Sequence, residues 1–292
     1  MHRVEITELH IYPVKSLQGI ALASAKLTRQ GLEHDRRFML VSSSNRFVTQ
    51  REIPRMATIQ THMTDAGVVL SAAGRGSIGV PFEEVPGEPI LTKVWGDDCE
   101  TVDMGKEISN WLSAALESSE PLKLVRMASG YLRPQKHPER LGKDTNTLFA
   151  DAAPLLVANE SSLAELNHAL ETRGLSKAPM NRFRPNVVVR GLQPFSEHRI
   201  SELRADKFSI ELSYPCERCV ITTIDQSTGK KDPDQQPFKT IREINPMPGK
   251  KTAPAFAQNA IVGHGAGQWI SVGDSLAVVA SSHQNSSDSG QG

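Results

Sequence analysis

The chain has 292 residues and balances 33 Lys+Arg against 33 Asp+Glu, a formal net charge of zero, which suffices for one large or two medium domains and gives no support to a nucleic-acid or polyanion partner, so anion binding must come from local clusters. Three cysteines argue against a disulfide framework and fit a reducing compartment. Met1-His2-Arg3-Val4-Glu5-Ile6 carries charges where a signal peptide needs an apolar run, and no segment has the apolar length to span a bilayer, so the expectation is a cytoplasmic protein without a membrane partner.

Residues 4 to 12 alternate in strand fashion and run into Pro13-Val14-Lys15-Ser16-Leu17-Gln18-Gly19, a loop bounded by Pro and Gly. Lys15 and Ser16 fall at its tip, where a cation, a hydroxyl and free N–H groups can hold an anion or simply meet solvent. A short strand over 22 to 28 precedes His34-Asp35-Arg36-Arg37, which leads into Phe38-Met39-Leu40-Val41 and, through a turn, Arg46-Phe47-Val48-Thr49, a hairpin. Read as strand, Arg36 and Arg37 point to opposite faces, so one of them faces inward and needs an anionic partner. Short strands with Gly and Pro punctuation continue from 57 to 94, and Trp95-Gly96-Asp97-Asp98 is a turn. The first helical period spans 106 to 116, with Ile108, Trp111, Leu112, Ala115 and Leu116 on one face. Residues 122 to 127 read as strand, and 130 to 146, rich in Gly, Pro and charge, as a long mobile loop.

Phe149-Ala150-Asp151-Ala152-Ala153-Pro154 precedes a buried strand over 155 to 158 and a second helix, in which Ser162 and Glu165 are spaced as a capping box. Asp151, among small apolar residues, reads either as a perturbed acid or as a turn cap. Taken as a strand, residues 181 to 189 put Arg182, Arg184 and Asn186 on one face, with Pro185 at an edge, a strand start or a bulge. Two arginines and an Asn on one face make a phosphate clamp, or a surface pair bridged to Asp or Glu. Beyond residue 219 come a hairpin return through Lys230 and Lys231, a short helix over 238 to 244, a loop over 246 to 254 and a strand over 256 to 262. Gly263-His264-Gly265-Ala266-Gly267 lacks the context of a dinucleotide fingerprint and reads as a turn. The last strands lie within 269 to 279, and residues 281 to 292 are low-complexity and expected to be disordered.

The densest chemistry lies at Tyr214-Pro215-Cys216-Glu217-Arg218-Cys219. The β-branched run Val220-Ile221-Thr222-Thr223-Ile224 follows, read as a strand, and Asp225-Gln226-Ser227-Thr228-Gly229 is the turn that ends it. Cys219 then stands where a loop enters a rigid strand, and Arg218 beside it favours thiolate, the form that binds soft metals or attacks. A redox dithiol, half a zinc site, one working thiol and two buried small hydrophobes compete for this stretch. Structural zinc lacks two further ligands, since Cys99 is isolated and His264 is the main downstream histidine. A thioredoxin-like dithiol belongs at a helix N-terminus, whereas a strand is expected here.

From about residue 3 to 280 the chain resembles the MOSC-domain family, in the branch that carries a MOSC N-terminal β-barrel domain and includes amidoxime-reducing enzymes and bacterial relatives acting on N-hydroxylated bases. The resemblance rests on Tyr12-Pro13-Val14-Lys15-Ser16, Arg37-Phe38, Phe183-Arg184-Pro185-Asn186, Cys216-Glu217-Arg218-Cys219 with Thr222-Thr223 and Asp225, and Val272-Gly273-Asp274. It implies a mainly β fold with α+β elements: an N-terminal β-rich domain over 1–125, a MOSC β-barrel over 126–280, a disordered tail over 281–292, and a cofactor between the domains. The cofactor implied is the molybdenum cofactor, a molybdenum held by the molybdopterin dithiolene, with Cys219 as its protein ligand. Lys15, Ser16, Arg37, Arg184 and Asn186 match positions that grip its phosphate and pterin, Asp151 matches an acid near it, and Arg218 flanks the metal ligand. Asn259 stands where eukaryotic relatives have Tyr, and Ala152 and Ala153 where they have hydroxyl residues.

The activity implied is two-electron reduction of an N–O bond in hydroxylamines, amidoximes or N-hydroxy bases, a detoxification, with Cys219 at the metal and Asp151 or a water as proton donor. The alternative is a noncatalytic carrier that delivers the same cofactor, and pyridoxal phosphate binding is a further association of such proteins. No cysteine follows Cys219, in contrast to bacterial relatives with a C-terminal ferredoxin domain, so the electrons are expected from a separate ferredoxin, flavoprotein or haem protein.

Overall fold

The computed structural model describes residues 2–83, 87–134 and 137–281, and the fold is mainly β. Beyond Ser281, the tail expected to be disordered lies outside the described residues. Arg3–Ile11 forms a nine-residue strand in which Val4, Ile6, Leu9 and Ile11 are buried, the alternation of a strand with one face on a core. It pairs antiparallel with Val187–Arg190 on one side and Ser275–Ala280 on the other. From Ser275–Ala280 the ring continues through Ile200–Arg204, Ser209–Glu217, Lys250–His264 and Leu155–Asn159, which returns to Val187–Arg190. Closure leaves these strands no open edge. The one parallel pair, Leu155–Asn159 with Val187–Arg190, is joined by a crossover that contains the helix Glu160–Glu171, as parallel neighbours require. Ile6, Val157, Val189, Leu203, Ile210 and Leu276 meet inside the ring.

A second core belongs to the N-terminal part. There Phe38–Val41, Lys123–Met127, Asp97–Asp103 and Ile90–Val94 form a sheet, and Gln60–Thr64, Gly67–Ala72 and Gly76–Pro81 another. The helix Lys106–Ala115 buries Ile108, Leu112 and Ala115 in this core, the face that the period of its apolar residues predicts. The strand Arg3–Ile11 lies within the first 125 residues, yet it fills a place in the barrel built from the other half.

Four local expectations are corrected. Residues 34 to 37 are a turn, with His34 at φ 68° and Arg36 at φ 46°, held where the Tyr12 amide donates to Asp35 Oδ1 at 2.8 Å and the Arg36 amide to the Tyr12 carbonyl at 2.9 Å. Val220–Thr223 is a 3₁₀ turn: the Thr222 and Thr223 hydroxyls donate back to the carbonyls of Cys219 at 3.0 Å and Val220 at 2.7 Å, a bond that favours a tight turn over a ladder. Arg182 ends another 3₁₀ turn, Arg184 is left-handed at φ 55°, and the strand begins only at Val187, after Pro185 and Asn186. The second helix starts at Glu160, capped by Asn159, whose side chain accepts from the Ser161 amide at 3.1 Å. Ser162 instead donates to the buried Glu197 carboxylate at 2.8 Å.

Candidate active site

Two adjoining cavities open between the barrel and the N-terminal part. The inner one, about 120 Å³, is lined by Lys15, Ser16, Arg36, Asp151, Arg184, Asn186, Arg218, Cys219 and Asn259. The outer one, about 690 Å³, shares Asp151, Cys216, Arg218, Cys219 and Asn259 with it and adds Arg51, Trp95, Arg140 and Tyr214. Eight sequence-predicted residues therefore meet in one cleft: Lys15, Ser16, Asp151, Arg184, Asn186, Arg218, Cys219 and Asn259. Arg37 is not among them. It lines a separate cavity with His34 and Arg126, because the left-handed turn at Arg36 sends Arg36, not Arg37, into the cleft.

The barrel strand Arg3–Ile11 delivers the first group. Tyr12 is buried, and its hydroxyl donates to the Pro185 carbonyl at 3.1 Å. Its ring lies between two guanidiniums, Arg36 at 4.4 Å and Arg184 at 4.2 Å from the centroid, an arrangement that lets two like charges line one wall. Burial pushes the Tyr12 phenol up to about 12 and the Arg184 guanidinium down to about 10, so Arg184 remains a cation at neutral pH. Ser16 at φ 69°, Arg36 at φ 46° and Arg184 at φ 55° all hold left-handed backbone and all line the inner cavity. For residues with a Cβ this costs on the order of 1 kcal/mol each, and such strain gathers at functional sites. Arg184 Nη2 is buried and has no hydrogen-bond partner among the described residues, a cationic donor left for something in the cavity.

Lys15 is 5% exposed. Its Nζ donates to the Phe149 carbonyl at 2.8 Å and forms a short ion pair with Asp151. Burial lowers the Lys15 ammonium, opposed by Asp151. Loss of solvent raises the Asp151 carboxyl, but Lys15, the Trp95 indole N–H at 3.0 Å and Arg51 outweigh this and hold it well below the usual carboxylate range. The Asp151 side chain nevertheless keeps 54% of its surface, so its charge still meets water. Asn186 is bound at both ends, accepting from the Leu156 amide at 3.1 Å and donating to the His10 carbonyl at 3.2 Å, and so steadies the cavity wall.

The two cysteines receive different guanidiniums. Arg218 donates to Cys216 Sγ at 3.0 Å and to the Phe183 carbonyl at 2.8 Å, whereas Cys219 Sγ accepts from Arg51 Nη2 at 3.0 Å. The cation expected beside Cys219 is therefore Arg51, which lies 4.8 Å over the Trp95 ring. No local pattern around Arg51 signals this, since its contact with Cys219 spans 168 residues of sequence. Burial raises the Cys216 thiol. Among the described residues no cluster of three or more His, Cys, Asp or Glu is suited to hold a metal.

The chain matches the MOSC N-terminal beta barrel domain over residues 3–119 and the MOSC domain over residues 144–277. Mitochondrial amidoxime-reducing component 1 of Homo sapiens is 30% identical over 268 residues, 87% of this chain and 77% of that protein. The chain belongs to the MOSC-domain family. The Xenopus laevis amidoxime-reducing component 1 is 28% identical over 266 residues, 87% of this chain and 76% of that protein. Molybdenum cofactor sulfurase of Bos taurus is 33% identical over 247 residues, 78% of this chain but 28% of that protein. Among solved structures, the YUAD protein of Bacillus subtilis covers 94% of both chains at 9% identity and a TM-score of 0.38, too distant to bear on the site. In this MOSC-domain protein the two matched segments build the cleft jointly, Lys15, Ser16, Arg36 and Arg51 from the first, Asp151, Arg184, Arg218 and Cys219 from the second. No helix among the described residues is long and apolar enough to cross a membrane.

Proposed function

We propose that this MOSC-domain protein binds the molybdenum cofactor and reduces N-hydroxylated small molecules, R–NHOH with two electrons and two protons giving R–NH₂ and water. One observation carries the reading: the Cys219 thiol borders a cavity whose wall holds Lys15, Arg36 and Arg184, with Arg184 Nη2 buried and unpaired among the described residues. A soft donor beside an anion-binding wall fits a phosphate-bearing, sulfur-rich metal cofactor. The names of the relatives, amidoxime-reducing components and a molybdenum cofactor sulfurase, support it further.

When bound, the cofactor supplies two-electron redox chemistry at a metal ligated by the Cys219 thiolate. Lys15, Ser16, Arg36 and Arg184 hold its anionic part, with Asn186 and Asn259 in the wall and Arg218 fixed between Cys216 and Phe183. Arg51 donates to the Cys219 sulfur at 3.0 Å. Asp151 is held ionised by its pairing with Lys15, so the donor role expected of Asp151 falls to the pair or to water. Electrons come from a separate ferredoxin, flavoprotein or haem protein. A cytoplasmic location and a detoxifying role complete the reading, in keeping with three free thiols, Cys99, Cys216 and Cys219.

The test is elemental analysis and pterin fluorescence on protein from a host that makes the cofactor, followed by benzamidoxime turnover with a chemical reductant. Near-stoichiometric molybdenum with turnover is the expected result. Molybdenum and pterin without turnover would favour the carrier, and the absence of both would overturn the proposal.

A further inference from the structure

The outer cavity, about 690 Å³, has the size of sites that enclose small organic ligands. Two aromatic side chains line it, and each has a guanidinium over its ring: Arg51 at 4.8 Å from the Trp95 centroid, Arg140 at 4.9 Å from that of Tyr214. The Tyr214 hydroxyl is buried and has no hydrogen-bond partner among the described residues. Burial pushes that phenol up to about 12, so at neutral pH it remains an O–H donor.

The charges around this cavity do not cancel. Its two carboxylates are already matched, Asp151 by Lys15 in a short ion pair and Glu217 by Lys250 at 2.6 Å. Arg51 and Arg218 are turned to the cysteine sulfurs. Among the described residues the ion pair of Arg140 is with Glu139, a 3.7 Å contact between half-exposed groups, which water screens strongly. A weakly paired guanidinium at the rim, a phenol without a partner among the described residues and aromatic side chains capped by guanidiniums describe a complementary ligand.

We infer that the substrate of this cleft is a planar conjugated N-hydroxylated compound bearing an oxyanion, whose body lies among Trp95, Tyr214 and the guanidiniums over their rings while the oxyanion meets Arg140 and the Tyr214 hydroxyl. Arg140 and Tyr214 thereby set specificity. The inference rests on the reading of this cleft as a reductase site, and deepens it.

The experiment is calorimetric titration of the purified full chain with matched probes: benzamidoxime, its 4-carboxy, 4-phosphono and 4-aminomethyl derivatives. The expected order is oxyanion tightest and ammonium weakest, with the 4-carboxy compound about tenfold tighter than the uncharged parent at low salt and the advantage shrinking as salt is raised. The phosphono arm separates a preference for single charge from one for double charge. Arg140→Gln shrinks the ratio of carboxylate to parent affinity several-fold, and Tyr214→Phe, which keeps the ring, lowers carboxylate affinity. Equal affinity for all four probes, a preference for the ammonium, or a ratio unmoved in Arg140→Gln would overturn the inference. Charge-ordered binding without turnover of any amidoxime by molybdenum-loaded protein leaves the inference standing and removes the reductase reading. Turnover without charge order does the reverse.

Discussion

Cys216 and Cys219 each accept a hydrogen bond from an arginine at 3.0 Å, yet their surroundings divide them. Cys216 packs against the cluster that contains Phe183 and Phe256, and burial raises its thiol. Cys219 lies with Arg51, itself stacked on Trp95 at the cleft mouth. Under the proposed function, Cys219→Ser should empty the protein of molybdenum, while Cys216→Ser should retain most of it and lower stability by about 1 kcal/mol. Metal analysis and urea unfolding of the two variants check this, and equal metal loss in both would contradict it. The sequence made Arg218 the natural partner through adjacency, but its amide donates to the Pro254 carbonyl and its side chain runs to Cys216 and Phe183. A neighbour in sequence says little about side-chain direction where a chain leaves a strand, and a partner from another segment leaves no local trace. Arg36 and Arg37 show the same limit: that the two diverge was legible, but the left-handed turn at Arg36 decides which faces the cleft.

At the scale of elements, the turn after Cys219 is tied by one carboxylate. Asp225 Oδ1 accepts from the Ser227 hydroxyl at 2.6 Å and amide at 3.0 Å and from the Thr228 amide at 2.9 Å, while Oδ2 meets Arg182 at 3.2 Å. The Ser227 hydroxyl bond leads the groups that hold the Asp225 carboxyl down to about 2, against an ordinary 3.8. A carboxyl whose pKa is depressed on folding contributes stability above its unfolded value and loses it as pH falls through the folded one. The contribution here, on the order of 1 kcal/mol once partial exposure is allowed for, is present above about pH 4 and fades toward pH 2. Asp225→Asn should therefore be less stable than the parent at pH 6 and nearly equal to it at pH 2, as measured by urea unfolding at both pH values. A stability gap that does not narrow at low pH would refute the assignment. This turn was legible because Asp, Ser, Thr and Gly in that order supply its hydrogen bonds themselves. The run before it was not, since Thr222 and Thr223 carry strand propensity in their branching and a competing bond in their hydroxyls, and only the surroundings decide which prevails. The helix after Leu155–Asn159 misleads for a related reason: Ser162 has a capping residue's chemistry, but buried Glu197 claims its hydroxyl and Asn159 does the capping.

For the whole molecule, the mainly β character was readable from short alternating runs, and the barrel only through the family resemblance, not from any local pattern. Arg3–Ile11 displays its strand pattern plainly, and Ile20–Leu22 pairs locally with its end at Leu9–Ile11, but its partners in the ring are Val187–Arg190 and Ser275–Ala280, separations at which no local pattern speaks. A fragment of residues 126–281 lacks this barrel strand, so it should show no cooperative thermal transition by circular dichroism, whereas the full chain should. A folded fragment would mean the ring closes without its N-terminal member. The pairing of Arg3 with Ala277 also sets a clock on the ribosome. Translation at about 5–20 residues per second leaves that first strand waiting on the order of half a minute for its partner, with its apolar face and backbone edge exposed to any other strand nearby. Nascent chains of this topology depend on protection against mispairing, and the cleft, whose walls come from both halves of the polypeptide, is complete only after nearly all of it has emerged. Under the proposed function, cofactor loading follows synthesis, and conditions that slow synthesis lower the yield of loaded protein before they alter its chemistry.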